Sequence, residues 1–240
     1  MARLKKNRNL SGAIRNVVFV NDGGREFIRA RPDGVKQTAQ TKAAAGVFGL
    51  VSSREKTFRL KLLRMMGVPA AQYFAAKHRA RIRKTVTDNQ GSSSGNNTGF
   101  GNPQALAGFS FNPKMEWENC TNFFPTFEME SSGKMKVHLP ELKWKRQIIP
   151  PKNSSSAVLT ITALNADFNS NMVPIKELAK LEINISGTSA VPAQEWIFPV
   201  DAAEGWLLII GCLKFASPQQ SAVMKEAFSA AYLWAGMAGE

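Results

Sequence analysis

The spacing of apolar residues changes from a helical to a strand-like period part-way along the chain. Between residue 37 and about residue 83, apolar residues recur every three or four positions, as on one face of a helix. Beyond about residue 105 they alternate with polar residues in short runs that turn residues separate. Such runs are typical of antiparallel strands, so the pattern predicts a helical part followed by a β part.

The helical part predicts three helices. Residues 37–51 are rich in Ala, and Ser52 and Ser53 can cap the start of a second helix. Gly67 and Pro69 end that helix, and a third is predicted over residues 70–86. Its apolar residues form one narrow stripe, consisting of Ala71, Phe74, Ala75, His78 and Ile82. We expect His78 to pack in the core and the rest of this helix to be a cationic surface.

The residues before the helices predict a β-hairpin. Two β-prone runs, residues 16–20 and 25–30, flank the turn sequence Asn21-Asp22-Gly23-Gly24. Residues 1–11 are polar and basic, and we expect them to form a flexible cationic arm.

The β part predicts nine strands and one short helix. The strands are residues 107–112, 114–119, 124–129, 134–139, 142–149, 157–165, 181–186, 195–200 and 206–215. The short helix is residues 173–180. At the C-terminus, residues 221–228 could begin a helix and residues 230–236 fit a closing strand, and we favour the strand.

A stretch rich in Ser, Gly and Asn separates the two parts and predicts a linker. We therefore expect a basic hairpin-and-helix region over residues 1–87, a linker over residues 88–104 and an antiparallel β-sandwich over residues 105–240. The predicted fold class is α+β.

Charge divides the chain in the same way. Residues 1–87 hold 20 Lys and Arg against 4 Asp and Glu, and residues 88–240 hold 11 against 14. The first part carries +16 and the second −3, within a net charge of +13. A basic excess of this extent favours contact with a polyanion.

No motif indicates a reaction. No Gly-x-Ser-x-Gly elbow, phosphate loop or metal-ligand spacing is present, so we expect no enzymatic activity, cofactor or metal. The carboxylate pairs Glu116/Glu118 and Glu128/Glu130 have strand spacing, and His138 alternates with lysines, so we expect solvated sheet faces. An enzyme acting on a polyanion would need a cleft that gathers Glu116, Glu118 and His138.

The remaining sequence features bear on where the protein is located in the cell and on which Cys and aromatic side chains are buried. No apolar run is long enough for a membrane span and no signal peptide is apparent, so we expect a cytoplasmic protein. Cys120 and Cys212 are expected to be buried thiols. The tryptophans are expected to be core anchors, with Trp144 as one candidate for an exposed aromatic contact beside cations. The six aromatics of the basic region are also assigned to the core, namely Phe19, Phe27, Phe48, Phe58, Tyr73 and Phe74.

We therefore predict a non-enzymatic binding protein whose basic region contacts nucleic acid or another polyanion without sequence specificity. The predicted binding residues are Lys5, Lys6, Arg8, Lys77, Arg79, Arg81, Arg83 and Lys84. The β-sandwich would mediate protein contacts or self-association. The alternative is a phage-like or filament-type assembly subunit whose basic region docks on a neighbouring acidic surface.

The N-terminal sequence resembles a bacterial family of unknown function. Three segments carry the resemblance: residues 11–20, residues 25–32 and residues 35–42. Members of that family open with a Ser-Gly-x-x-x-Asn-Val strand, an Arg-x-x-Pro turn and an Asn-Pro-Arg-containing segment that leads into helices. This chain has Val35-Lys36-Gln37 in place of that Asn-Pro-Arg. The resemblance implies a C-terminal sandwich-like region, with residues 204–211 as a counterpart strand, and no known activity.

Overall fold

The computed structural model describes residues 3–4, 10–22, 25–31, 37–88, 98–200, 205–216 and 227–238. The chain divides into two compact units, Met1–Gly46 and Val47–Glu240, and the boundary falls within helix α1 (Ala39–Met66). The expected linker lies largely at residues 89–97, outside the described part, so the division at residues 88–104 stays a prediction.

The first unit contains a four-stranded antiparallel sheet with the strands in chain order. Its strands are β1 (Arg3–Leu4), β2 (Leu10–Ile14), β3 (Val17–Asp22) and β4 (Arg25–Ala30). The predicted hairpin is confirmed as β3 and β4. The predicted flexible arm is wrong at residues 3–4 and 10–11, because Leu4 opposes Leu10 in a backbone ladder that the polar composition did not suggest.

Helix α1 is one helix rather than the predicted two. Thr38 caps its start, since the Thr41 backbone N–H donates to Thr38 Oγ1 at 3.2 Å. The helix continues through Ser52 and Ser53, so the predicted break there is wrong. It ends at Gly67, whose φ of 60° allows the Val68 N–H to reach the Leu63 carbonyl at 3.2 Å.

The third predicted helix is shorter than expected. Helix α2 spans Phe74–Arg83 rather than residues 70–86, and Pro69 does not open it. After α2, strand β5 (Val86–Asp88) pairs with β6 (Thr98–Phe100), and a 3₁₀ turn covers Pro103–Leu106.

The second unit contains a four-stranded and a three-stranded antiparallel sheet, which confirm the α+β fold class with a C-terminal sandwich. One has the order β10 (Ile175–Ser186), β9 (Ser156–Ala166), β12 (Trp206–Ala216), β13 (Phe228–Met237). The other has the order β11 (Gln194–Pro199), β8 (Lys134–Leu139), β7 (Thr126–Met129). The closing strand favoured at the C-terminus is confirmed by β13.

The sheet of β10, β9, β12 and β13 is covered on both faces along β9, β12 and β13, which gives this unit three layers. One face packs on the three-stranded sheet, and we call the apolar contact between them the sandwich-side core. The other packs on α1 and α2, which defines the helix-side core. Strand β12 alternates between them, with Leu208 and Ile210 on the helix side and Leu207 and Ile209 on the sandwich side. Burial of both faces explains why its sequence is continuously apolar.

Four segments of the β part differ from the prediction. Residues 114–119 form no strand and instead contain a one-turn helix, α3 (Trp117–Cys120). Residues 142–149 form a turn, in which the Gln147 and Ile148 N–H groups both donate to the Lys143 carbonyl. Residues 107–112 make a single bridge, between Ser110 and Ala231. The predicted helix over residues 173–180 is wrong because β10 pairs with β9 from Ile175 onward, and pairing overrides local helix propensity.

Burial confirms some of the expected core residues and contradicts others. Phe58 and Phe74 are buried, but Phe27, Phe48 and Tyr73 are exposed, so their assignment to the core is wrong. Trp206 and Trp117 are buried, whereas Trp144, Trp196 and Trp234 are half-buried. Cys120 and Cys212 are free and buried, as predicted.

Candidate functional site

Helix α2 is held by one apolar face and presents cations on both sides of it. Phe74, His78 and Ile82 are buried in the helix-side core, as the predicted stripe requires. At about 100° per residue, Lys77, Arg81 and Lys84 fall within about 60° of one another on one flank of this stripe. Arg79 and Arg83 fall on the opposite flank. The five predicted cations of α2 therefore belong to two separate surfaces.

The flank with Lys77, Arg81 and Lys84 lines a cavity of about 770 Å³. That volume lies within the range of ordinary ligand-binding pockets. We call this space the α2 cavity. Its other walls come from residues 108–110, from α3 with the segment that follows it, and from residues 231–233 of β13.

Within the described part of the chain, no carboxylate forms a salt bridge with Lys77, Arg81 or Lys84. The one hydrogen bond from these side chains runs from Arg81 Nη1 to the Ala105 carbonyl at 3.4 Å. The three charges are thus available to an anionic ligand.

The opposite flank of α2 is arranged differently. The Arg79 guanidinium lies 5.5 Å from the centre of the Phe48 ring, a cation–π contact within the second unit. Arg83 is exposed and does not line the α2 cavity. Lys5, Lys6 and Arg8 lie outside the described residues.

An exposed aromatic residue that the sequence analysis missed stands at the α2 cavity. Phe124 follows α3 and is 82% exposed, whereas its neighbour Phe123 is 4% exposed and packs in the sandwich-side core. The segment is anchored at Asn122, whose N–H donates to the Gln147 carbonyl at 2.8 Å. The Phe-Phe pair was a signal in the sequence, because adjacent residues of an extended segment point to opposite sides.

The carboxylates Glu116 and Glu118 also line the α2 cavity, on the wall formed by α3. Their predicted placement on one face of a strand is wrong, because Trp117 turns the chain into α3. The Trp117 N–H donates to Ser110 Oγ at 3.0 Å. Its ring lies against Gly211, where a Cβ atom would be 2.6 Å from the ring. Both carboxylates are exposed, in agreement with the solvated position expected for them.

Beneath the α2 cavity, a buried polar network joins both helices to the sheet. Glu55 Oε1 accepts from Arg59 Nε at 2.8 Å and lies 3.1 Å from His78 Nδ1, and His78 Nε2 lies 2.9 Å from the Tyr232 hydroxyl. This pattern places the imidazole proton on Nδ1, so that Nε2 accepts from Tyr232. Glu55, His78 and Tyr232 are each 0% exposed. The network therefore fastens α1 and α2 to β13.

Burial shifts the pKa values of two members of this network, His78 and Tyr232. Desolvation lowers the pKa of His78, outweighing the opposite effect of Glu55. Desolvation also raises the pKa of Tyr232 well above its ordinary value. Both groups are held neutral, and the predicted packing role of His78 agrees with its position.

The remaining candidates for chemistry lie apart from this site. His138 is on β8 and lies 3.1 Å from Glu195 across the sheet, at a second cavity of about 490 Å³. The cleft that an enzymatic interpretation needs, with Glu116, Glu118 and His138 together, is not formed. Glu128 and Glu130 are on or beside β7, with side chains 63% and 37% exposed. Trp144 is half-buried and lies 6.5 Å from Phe215, so it is a weaker contact candidate than Phe124.

Neither a metal-binding cluster nor a membrane-spanning helix is present in the described part of the chain. No group of three or more His, Cys, Asp or Glu residues there could hold a metal ion. No helix in these ranges has the length and apolar character needed to cross a membrane.

No protein-family model matches this chain, and no curated protein matches it significantly.

Proposed function

We propose that this protein binds nucleic acid or another polyanion without sequence specificity, through Lys77, Arg81 and Lys84 at the α2 cavity, and that it is not an enzyme. In this proposal Arg79, Arg83 and the N-terminal cations Lys5, Lys6 and Arg8 strengthen the electrostatic attraction, and the β-sandwich mediates protein contacts. The observation that carries the proposal is a row of three cations on one cavity wall with no carboxylate bound to them in the described ranges.

The physical basis is the low energetic cost of pairing these cations with phosphates. Because no ion pair within the described residues has to be broken, each phosphate contact releases a counterion from the nucleic acid without a competing loss. Affinity should therefore fall steeply with salt. The contact reads charge and not base sequence, since phosphate contacts carry no sequence information.

The test uses the full-length protein and a fluorescent nucleic acid titrated over a salt series. The triple variant Lys77→Glu, Arg81→Glu and Lys84→Glu should lose at least about ten-fold in affinity and about one unit of salt slope per lost phosphate contact. Arg79 is left unchanged because it contacts the Phe48 ring and does not line the α2 cavity.

A matched control makes the same change of charge elsewhere. Lys134, Arg146 and Lys152 are exposed and lie away from the α2 cavity. Their substitution by Glu should weaken binding much less, with both variants first checked for an unchanged unfolding transition. Equal loss in the two variants would show that only net charge matters, and wild-type affinity of the first variant would refute the proposed site.

A second candidate function, an assembly subunit, is favoured by the first unit. No described side chain of residues 10–46 is buried, and Phe27 and Ile28 are 49% and 62% exposed. A sheet of this kind normally needs an apolar partner. We infer that a neighbouring copy or another protein covers it. Light scattering of nuclease-treated protein should then reveal large species, and a monomer at all concentrations would exclude this candidate.

We also propose that the chain belongs to the uncharacterised bacterial family that its N-terminal residues resemble, and that it is cytoplasmic. Residues 11–20, 25–32 and 35–42 support the family, and two free buried cysteines fit a reducing compartment. Homologues that keep these three segments ahead of a β-rich region would support the first proposal, and fractionation of the producing cell tests the second.

A further inference from the structure

The α2 cavity is lined both by an exposed aromatic ring and by the row of cations. Phe124 has the largest exposed fraction among the large apolar side chains of the described residues, at 82%. Phe127 is half-buried beside it, and Phe123 and Trp117 pack beneath in the sandwich-side core. Isolated apolar side chains on a surface are common, but this one shares a cavity with Lys77, Arg81 and Lys84.

An aromatic ring and a cation row together fit one kind of nucleic acid better than the other. Cations bind the phosphates of duplexes and single strands alike. A base can stack on a protein ring only where it is free of its own partners, as in an unpaired strand. The ring therefore adds affinity for unpaired strands and little for duplexes.

We propose that the α2 cavity is a binding site for unpaired strands of nucleic acid, with phosphates on Lys77, Arg81 and Lys84 and a base stacked on Phe124. This inference rests on the proposed function and names its ligand class. A groove that tracks the backbone electrostatically while bases stack on aromatics is the general solution for binding single strands without sequence preference.

Glu116 and Glu118 determine which way round the strand lies. They are exposed on the α3 wall and would repel phosphates there. The backbone is thereby directed to the α2 wall and the bases to the wall with Phe124 and α3.

The experiment compares single and double strands with full-length protein at one salt concentration. The probes are a labelled oligo(dT) of about 20 nucleotides, longer than typical single-module sites, and the duplex formed by the same strand with oligo(dA). Phe124→Ala should weaken binding of the single strand by about ten-fold, within the range measured for loss of one stacked base. Binding of the duplex should change by less than about two-fold, since its phosphate contacts are unaffected.

Three further variants separate stacking from other effects. Phe124→Tyr should keep single-strand affinity because it retains the flat ring, whereas Phe124→Leu should lose it although it stays apolar. The control Tyr73→Ala removes an exposed ring that does not line the α2 cavity, and it should leave both affinities unchanged.

The outcomes distinguish this inference from the proposed function. If Lys77→Glu, Arg81→Glu and Lys84→Glu together weaken both probes but Phe124→Ala weakens neither, the polyanion site stands and the preference for unpaired strands is wrong. If the charge variant binds both probes normally, both proposals fail. Displacement of oligo(dT) by an equal nucleotide concentration of free dTMP would assign the cavity to a small nucleotide and overturn the strand proposal.

Discussion

The helix-side core and the sandwich-side core, on the two faces of the sheet of β10, β9, β12 and β13, are built from different residues. The helix-side core is richer in aromatic residues than the other core and includes Phe58, Phe74, Trp206 and Tyr232. The sandwich-side core is largely aliphatic, with Leu159, Ile161, Leu207 and Ile209 at its centre. Among the described residues, the buried Arg, Glu and His side chains are Arg54, Glu55 and His78, and all three lie on α1 or α2.

This difference shows how the chain combines a stable sheet with a positioned cationic surface. Aliphatic residues suffice where one sheet packs on another. Where a highly charged helix must pack on the sheet, Tyr232 supplies a ring for the apolar contact and a hydroxyl for His78. The buried network thus fixes the rotation of α2, and with it the direction of Lys77, Arg81 and Lys84.

The largest expected effect is a loss of stability when either of two adjacent leucines of β12 is shortened. These substitutions test whether both faces of the strand are covered. Leu207 lies on the sandwich side and Leu208 on the helix side, and both are 0% exposed. Each substitution by Ala should lower the free energy of unfolding by about 2–5 kcal/mol, measured by denaturant titration. A cost below about 1 kcal/mol at either position would show that its face is not covered, and the three-layer arrangement would be wrong.

A smaller loss of stability is expected when the buried polar network of the helix-side core is broken. Tyr232→Phe removes the hydroxyl that pairs with His78 Nε2 and leaves a buried nitrogen without its partner. We expect a loss of about 1–3 kcal/mol in the free energy of unfolding. Tyr73→Phe is the control, because Tyr73 is 66% exposed and its change should stay within about 0.5 kcal/mol. Equal effects for the two would contradict a role for the network.

The smallest effect should be a pH dependence of stability that originates in the helix-side core. Burial lowers the pKa of His78 in the native state below its ordinary value of 6.5. The stabilising contribution is therefore complete above pH 6.5, and it is lost as pH falls from there, because the unfolded chain takes up a proton that the native chain does not.

The measurement is the free energy of unfolding between about pH 5 and 8, a window in which histidine is the side chain that ordinarily titrates. His138→Gln removes the histidine of β8 and should leave this dependence in place. If that variant instead flattens the profile, the dependence does not come from His78.

The sequence predicts correctly those strands and helices whose apolar pattern lies within the segment itself. Strand β8 alternates between buried and more exposed positions, and β12 is so apolar that it had to be interior. The segments that went wrong depend on distant partners. Trp117 ends up in a helical turn because its ring packs on Gly211 of β12, and residues 175–180 are extended because β9 lies beside them.

The candidate site was predictable only in part, for the same reason. Lys77, Arg81 and Lys84 followed from the charge of α2, and the burial of His78 followed from its stripe. The α2 cavity itself combines residues near positions 80, 109, 117, 124 and 232, which only the tertiary fold brings together. The two flanks of cations follow from the helical spacing, but that Phe124 lines the same cavity as Lys77, Arg81 and Lys84 could not follow from spacing alone.

The order of the strands has a consequence for how this protein is made. The rings that pack on Phe58 and Phe74 include Phe109, Phe111 and Phe168, and the same core contains residues of β12 and β13, all of which leave the ribosome after the helices. During synthesis the helices must remain without their final partners, and contacts this distant in sequence form slowly. The nascent chain therefore carries its most apolar and its most basic surfaces side by side and uncovered. That interval is when chaperones, or the cell's abundant RNA, have the best opportunity to bind it.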